Sequence, residues 1–138
     1  MHAGDPSWPN KAILLHGCPS CNLEFLHHLP AYMYMNYQVF AIDLPGYGKS
    51  TGKPQASRSE KILDEGGPAE VVKIVMKELQ IKKPVLGGYD WGAAIALKMA
   101  VEKSSNFSKI IAFHPSYNED KKDELKSIKC PTLIQWVK

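Results

Sequence analysis

Short apolar runs and polar turns alternate along the chain, and this alternation predicts strands and helices in turn. Most of the apolar runs are continuous, which is typical of strands buried on both faces of a parallel sheet. Five strands are predicted, at 12–15, 38–42, 84–87, 109–113 and 132–137. With helical stretches between them, they predict an α/β fold whose helices are the crossover connections.

Two stretches between the strands have the pattern of helices. The first is marked by Leu23, Phe25, Leu26 and Leu29. The second covers 68–79 and begins at Pro68, a residue suited to the first turn of a helix. Its predicted buried face consists of Val71, Val72, Val75, Met76 and Leu79. Residues 49–67 are polar and predict a long surface loop, and the charged stretch 119–124 predicts a link to the last strand.

Three motifs follow the first three predicted strands. An H-G-x-P loop comprises His16, Gly17 and Pro19, and a D-x-P-G-Y-G-x-S turn covers 43–50. The third motif, G-x-D-W-G over 88–92, is a sharp turn from a strand into a helix with an acid at its apex. A turn of this kind lifts the apical side chain above the sheet and aims backbone N–H groups at the group that it attacks.

The order and spacing of these motifs resemble the α/β-hydrolase fold over about residues 10–137. Within that fold they look most like the epoxide hydrolase and haloalkane dehalogenase group, in which the nucleophile is Asp and the next residue is often Trp. The resemblance implies that Asp90 is the nucleophile and that the backbone N–H groups of Trp91 and Cys18 form the oxyanion hole. It also implies that His16 supports its loop, and that the Trp91 indole could hold a halide.

The same resemblance implies parts that we do not find in the sequence. The general-base histidine and its partner acid of the family follow strands at and beyond 132–137. The lid of the family lies between the last two strands, where 18 residues separate Phe113 from Thr132. We therefore expect residues 1–138 to form a single, partial α/β-hydrolase domain without a lid, and without the two usual first strands before Ala12.

An aspartate nucleophile changes what the chemistry requires. A carboxylate, with an unperturbed pKa of about 3.9, is ionised at neutral pH and can attack an alkyl carbon without a base. The resulting ester must be hydrolysed by an activated water, and that step needs a base. We therefore expect the chain alone to be alkylated once without turnover. His114 is a possible substitute base on the same sheet edge as Asp90, although a plain loop histidine before Pro115 is the favoured interpretation.

Other patterns leave weaker alternatives open. The C-x-x-C pair of Cys18 and Cys21 has the spacing of a thioredoxin-like redox site. The turn at 43–50 nearly matches a phosphate-binding loop, but Asp43 replaces its first glycine and would repel phosphate. A tyrosine and methionine stripe at 32–37 could bind a partner, although packing is the favoured interpretation. We expect no cofactor and no metal.

Composition excludes several classes of protein. Apolar residues make up 44% and charged residues 22% of the chain, as in ordinary globular domains, and the net charge is +3. No basic block with interleaved aromatic residues predicts nucleic-acid binding, and no apolar run is long enough to span a membrane. The first residues do not resemble a secretory signal, and three cysteines suit a reducing compartment. We therefore expect an intracellular, cytoplasmic protein.

Two classes of function follow. The first is a hydrolase that acts on a small-molecule epoxide or alkyl halide through Asp90. The second is a non-catalytic subunit that keeps the hydrolase fold inside a larger assembly. The second is favoured by the strand at 132–137, which is apolar on both faces and would form an open sheet edge that a protein partner covers.

Overall fold

The computed structural model describes residues 1–52, 62–117 and 119–136. Within these residues one six-stranded sheet has the order β1-β3-β2-β4-β5-β6. Its strands are β1 (His2–Ala3), β2 (Asn10–Leu15), β3 (Tyr37–Ile42), β4 (Val85–Tyr89), β5 (Lys109–Phe113) and β6 (Thr132–Gln135). Strands β2 to β6 are mutually parallel, whereas β1 is antiparallel to β3. The predicted α/β fold with a central parallel sheet is confirmed.

The two ends of the sheet differ from the prediction. Strand β1 was not expected, and it pairs His2 with Phe40 while the N-terminal amine donates to the Ala41 carbonyl at 2.9 Å. A strand of two residues has no periodicity, so the sequence pattern cannot indicate it. At the other end, β6 stops at Gln135, so Trp136 lies outside the strand and Val137 lies outside the described residues.

The helices are α1 (Leu29–Tyr34), α2 (Pro68–Glu78) and α3 (Trp91–Lys103). Short 3₁₀ helices cover Asn22–Phe25, Ser104–Asn106 and Glu119–Ser127. The helical stretch predicted around 23–29 is therefore two short helices. Pro30 lies in the first turn of α1, and because proline has no N–H to donate, α1 starts there instead of continuing the preceding helix.

The core has two layers, one on each face of the sheet. Side chains alternate between the faces of a strand, so Ile13 and Leu15 of β2 pack with α3 while Ala12 and Leu14 point to the opposite face. The larger layer includes Leu86, Ile95, Leu97 and Ile110. The smaller layer includes Phe25, Leu29, Val39 and Val85. Helix α3 is thus held against the sheet by the larger core.

Two local predictions about burial were wrong, and a third holds for only part of its residues. Leu79 follows the end of α2 and is 51% exposed, so it is not part of the buried helix face. Ile62, in the predicted surface loop, is 2% exposed and belongs to the larger core, while 53–61 of that loop lie outside the described residues. The tyrosine and methionine stripe at 32–37 is only partly packed. Tyr32 and Tyr37 pack against the smaller core, whereas Tyr34 is 90% exposed.

The segment between β5 and β6 is short and lies against α3. Its described residues contain the 3₁₀ helix Glu119–Ser127 and no lid domain. Lys98 of α3 forms an ion pair with Glu124, with Nζ and Oε2 2.6 Å apart. This hydrogen bond to Lys98 lowers the pKa of Glu124 below its usual value. None of the described helices is both long and apolar enough to cross a bilayer.

Replacing Ile95 by alanine tests whether the contact between α3 and the sheet stabilises the domain. Ile95 is fully buried, so Ile95→Ala should lower the free energy of unfolding by about 2–5 kcal/mol through lost burial and a residual cavity. Ile74→Ala is the matched control, since Ile74 is 50% exposed on α2 and its loss should change stability by less than about 0.5 kcal/mol. Urea unfolding of both variants measures the difference, and equal effects would contradict this account of the core.

Candidate active site

The turn between β4 and α3 holds Asp90 in a strained conformation. Its backbone has φ 48° and ψ −110°, a combination that residues other than glycine rarely adopt. The turn is tight because two glycines allow it. A Cβ on Gly88 would lie 2.3 Å from the Gly92 carbonyl carbon, and a Cβ on Gly92 would lie 2.0 Å from Leu15 O. Bulkier residues at either position would therefore push the turn apart.

The loop after β2 places a hydrogen-bond donor on the carboxylate of Asp90. The backbone N–H of Cys18 donates to Asp90 Oδ2 at 3.0 Å. Gly17 permits this approach, because a side chain at position 17 would place its Cβ only 3.1 Å from Asp90 Cβ. The structure thus brings together Asp90 and Cys18, although they are 72 residues apart in the sequence.

Trp91 begins α3 directly after Asp90. Its backbone N–H lies in the first turn, where N–H groups have no acceptor within the helix. Its side chain is 2% exposed and belongs to the larger core. The backbone of Trp91 is therefore placed beside the turn, whereas its indole is packed among apolar residues. The halide role of the indole stays a prediction.

His114 lies beside Asp90 at the same edge of the sheet. Tyr89, the last residue of β4, is in register with Phe113, the last residue of β5. Asp90 and His114 each directly follow one of these two residues. The N–H of Asp90 donates to Phe113 O at 3.0 Å. The imidazole of His114 stacks on Tyr89, with ring centroids 6.4 Å apart and planes 27° apart. The sequence predicted this common edge from the parallel order of the strands.

Asp90 and His114 line one cleft of about 380 Å³. The other lining residues are Gly17, Cys18, Pro19, Ser20, Glu24 and Tyr89. A second cavity of about 350 Å³ is mostly apolar and shares Glu24, Tyr89 and His114 with the first. Sequence reasoning did not single out Glu24, because no motif marks it. Its Oε2 accepts a hydrogen bond from the Gly17 N–H at 2.9 Å.

His16 supports the loop after β2 and does not line the cleft. It is fully buried, its Nε2 accepts the Leu44 N–H at 3.0 Å, and its Nδ1 lies 2.7 Å from Gly17 O. A ring nitrogen that accepts a hydrogen bond carries no proton, so the proton of the neutral ring lies on Nδ1, which donates to Gly17 O. This arrangement matches the supporting role that the family resemblance implies.

Asp43 occupies the centre of the turn after β3. Its Oδ1 accepts the Asn22 N–H at 2.7 Å and its Oδ2 accepts the Lys49 N–H at 3.0 Å. Burial alone would raise the pKa of Asp43, but these two hydrogen bonds hold it below its usual value. A Cβ on Gly48 would lie 2.3 Å from Asp43 Cγ. The carboxylate itself fills the place of an anion, which argues against the phosphate-loop alternative.

The C-x-x-C cysteines are both free thiols in this structure. Cys18 is exposed and Cys21 is half-buried. The Cys18 thiol lies 3.1 Å from the Tyr47 hydroxyl, and this hydrogen bond raises the pKa of Tyr47. Among the described residues, no group of three or more His, Cys, Asp or Glu side chains is placed to hold a metal ion.

Comparison with known families agrees with this geometry. A family model described as the alpha/beta hydrolase fold matches residues 13–128, which include the end of β2, all of β3 to β5 and the turn at Asp90. The chain belongs to the α/β-hydrolase fold family. Both the turn at Asp90 and the loop at 16–19 lie within the matched residues.

Individual relatives match most of this chain, but the match covers only part of their own length. Protein ABHD14A of Mus musculus is 28% identical over 127 residues, which are 90% of this chain and 49% of that protein. Epoxide hydrolase B of Mycobacterium tuberculosis is 33% identical over 104 residues, 72% of this chain and 28% of that protein. The crystal structure of a predicted CIB-like hydrolase from Thermoplasma acidophilum superimposes with a TM-score of 0.76 at 25% identity, covering 93% of this chain and 62% of that chain. The chain thus spans at most about half the length of these two curated relatives.

Replacing Asp43 by asparagine tests the turn that supports the site. Asp43→Asn should lower the free energy of unfolding near neutral pH by about 1–3 kcal/mol. An asparagine has one acceptor oxygen, so its NH₂ group would face the N–H of either Asn22 or Lys49, and that donor would lose its acceptor. The carboxylate contributes its stability fully above the unfolded-state pKa of about 3.9, and this contribution is lost as the pH falls through the lower folded-state pKa.

The difference in stability between wild type and Asp43→Asn should therefore shrink as the pH falls below about 4. Urea unfolding at neutral and acidic pH measures it. Asp64→Asn is the control, since Asp64 is exposed and its variant should match wild type throughout. A difference that stays constant down to about pH 3 would contradict the proposed hydrogen bonds of the carboxylate.

Proposed function

We propose that this α/β-hydrolase chain acts on small molecules with an electrophilic alkyl carbon, an epoxide or an alkyl halide, and that Asp90 is its nucleophile. The observation that supports this proposal is the turn at Asp90 itself. A carboxylate stands at the apex, and a backbone N–H of the neighbouring loop is directed at one of its two oxygens. The similarity to an epoxide hydrolase supports the same substrate class.

The first half-reaction follows from this arrangement. Because Oδ2 accepts the Cys18 N–H, Oδ1 is the oxygen that attacks the alkyl carbon. A bond forms between Oδ1 and that carbon, while the bond to the epoxide oxygen or halide breaks and its electron pair leaves with that atom. The product is an alkyl ester of Asp90. An aspartate carboxylate requires no base for this step.

The second half-reaction hydrolyses the ester. Water adds to the carboxyl carbon of Asp90, and negative charge develops on Oδ2, where the N–H groups of Cys18 and Trp91 would stabilise it. A base must take the proton from the attacking water. Collapse of the intermediate then breaks the bond between the carboxyl carbon and the alkoxy oxygen, and the base passes its proton to that oxygen, so that the alcohol is released and the base is neutral again. His114 is the candidate base, because its imidazole lines the same cleft as Asp90.

Removing the nucleophile should abolish the first half-reaction. Incubation of the chain with styrene oxide should add the mass of one epoxide molecule, and Asp90→Asn should reduce this adduct to background, since an amide is a poor nucleophile. Intact mass spectrometry with peptide mapping measures both results. Asp64→Asn is the matched control, because Asp64 is exposed, lines neither cavity and should leave adduct formation unchanged.

An adduct that survives in Asp90→Asn would contradict the assigned nucleophile. Absence of both adduct and diol in wild type would instead favour the second candidate, a non-catalytic subunit. One observation supports that candidate: Leu133 of β6, at the end of the described sheet, is 54% exposed. An exposed apolar edge strand is a surface on which another chain can pair.

Replacing His114 tests the second half-reaction separately. His114→Gln should leave adduct formation within about twofold of wild type but slow hydrolysis of the adduct by about a hundredfold or more, because the base is lost. The decay of the isolated adduct measures this rate. His27→Gln is the control, since His27 is exposed and lines neither cavity. An adduct that is as stable in wild type as in His114→Gln would contradict the assignment.

A further inference from the structure

Glu24 is a polar residue of the cleft that the proposed reaction does not use. Its Oε2 accepts the N–H of Gly17 at 2.9 Å. It lines both the cleft that contains Asp90 and the neighbouring apolar cavity. The position is eight residues after His16, on the 3₁₀ helix Asn22–Phe25. Glu24 therefore contacts the loop that supplies the Cys18 donor without contacting that donor itself.

The peptide group between Gly17 and Cys18 is held at both ends. Its carbonyl accepts a hydrogen bond from His16 Nδ1 at 2.7 Å, and its N–H donates to Asp90 Oδ2 at 3.0 Å. Because a trans peptide is planar, its C=O and N–H point in opposite directions. Fixing the carbonyl therefore also fixes the line along which the Cys18 N–H points.

The preceding peptide group needs a separate restraint. Gly17 has no side chain, and its φ and ψ can change at little cost, so the two peptide groups on either side of it can rotate independently. The hydrogen bond from the Gly17 N–H to Glu24 holds the first of them. With Glu24 on one side and His16 on the other, the loop loses the freedom that its glycine would otherwise give it.

The carboxylate of Glu24 is itself held in place. The 3₁₀ helix that carries it is anchored at its start, where the Asn22 N–H donates to Asp43 Oδ1 at 2.7 Å. At its end Phe25 is 8% exposed and belongs to the smaller core. A hydrogen bond from an N–H to a carboxylate is also stronger than one between neutral groups. These contacts make Glu24 a fixed acceptor.

We propose that Glu24 is a positioning residue, which directs the Cys18 N–H at Asp90 by holding the Gly17 peptide group. This proposal rests on the proposed role of Asp90 as the nucleophile. Glu24 acts as a hydrogen-bond acceptor and exchanges no proton during the reaction. A glutamine carbonyl oxygen can accept the same N–H, so Glu24→Gln should preserve the effect, whereas Glu24→Ala removes the acceptor.

The test combines a rate with a spectroscopic signature. The rate of adduct formation is measured by intact mass over a range of styrene oxide concentrations, which separates the saturating rate from the half-saturating concentration. The ¹H–¹⁵N spectrum of the unreacted chain gives the chemical shift of the Cys18 amide. Wild type, Glu24→Ala and Glu24→Gln are compared. Glu70→Ala is the matched control, because Glu70 also accepts a backbone N–H, that of Gly66, but lines neither cavity.

Glu24→Ala should lower the saturating rate by about tenfold, less than the roughly hundredfold that a displacement of 1 Å can cost. The half-saturating concentration should stay within about twofold, because the other residues that line the cleft are unchanged. The Cys18 amide resonance should move toward the position that it has in Asp90→Ala, which removes the acceptor of its hydrogen bond. Glu24→Gln and Glu70→Ala should behave as wild type in both measurements.

Two results would overturn the proposal. Equal losses in Glu24→Gln and Glu24→Ala would show that the charge or a proton of Glu24 is required, which a positioning role does not predict. An unchanged Cys18 resonance in Glu24→Ala would show that the loop does not depend on Glu24. The resonance also separates this proposal from the proposed function: if wild type forms no adduct but Glu24→Ala still shifts the resonance, the reaction is wrong and the positioning role stands.

Discussion

The direct contact between backbones at the start of α3 is the constraint on which the rest of the structure depends. Gly92 approaches the carbonyl of Leu15 so closely that a Cβ would lie 2.0 Å from its oxygen, and Gly88 approaches Gly92 almost as closely. Because α3 begins this near to β2 and β4, the chain must turn within one residue, and Asp90 takes the strained conformation. The same approach brings the loop that follows β2 onto the Asp90 carboxylate. The site is thus a consequence of how α3 packs on the sheet.

The polar groups around this contact are almost all satisfied by the protein itself. Buried His16 joins the loops that follow β2 and β3, and Asp43 joins the second of these loops to the 3₁₀ helix that carries Glu24. Donors that are already directed at the place where charge develops cost no reorganisation during a reaction. In the described residues the groups around Asp90 are held in place without a lid domain, because the supporting side chains, such as His16 and Asp43, come from the loops themselves.

The central part of this structure could be predicted from the sequence because it depends on local patterns. Continuous apolar runs indicated the parallel strands, and the glycines around Asp90 indicated the turn, since no bulkier residue fits there. What could not be predicted depends on contacts between distant residues. Three such contacts leave no periodic signal in the sequence: the pairing of His2 with Phe40, the burial of Ile62, and the hydrogen bond from the Gly17 N–H to Glu24. The break before α1 has a signal in Pro30, but the apolar pattern across 23–29 outweighed it.

In the proposed reaction, an aspartate nucleophile places the requirements of the two half-reactions on different parts of the site. A serine would need a base before it could attack, so loop and base would act in the same step. A carboxylate attacks unaided, and what the first step requires is that one oxygen is held while the other is presented; the Cys18 N–H provides that restraint on Oδ2. The base enters in the second step alone. In the proposed reaction Glu24 acts from the first step, through the loop, while a base such as His114 acts only in the hydrolysis of the ester. The two contributions are therefore separable in time.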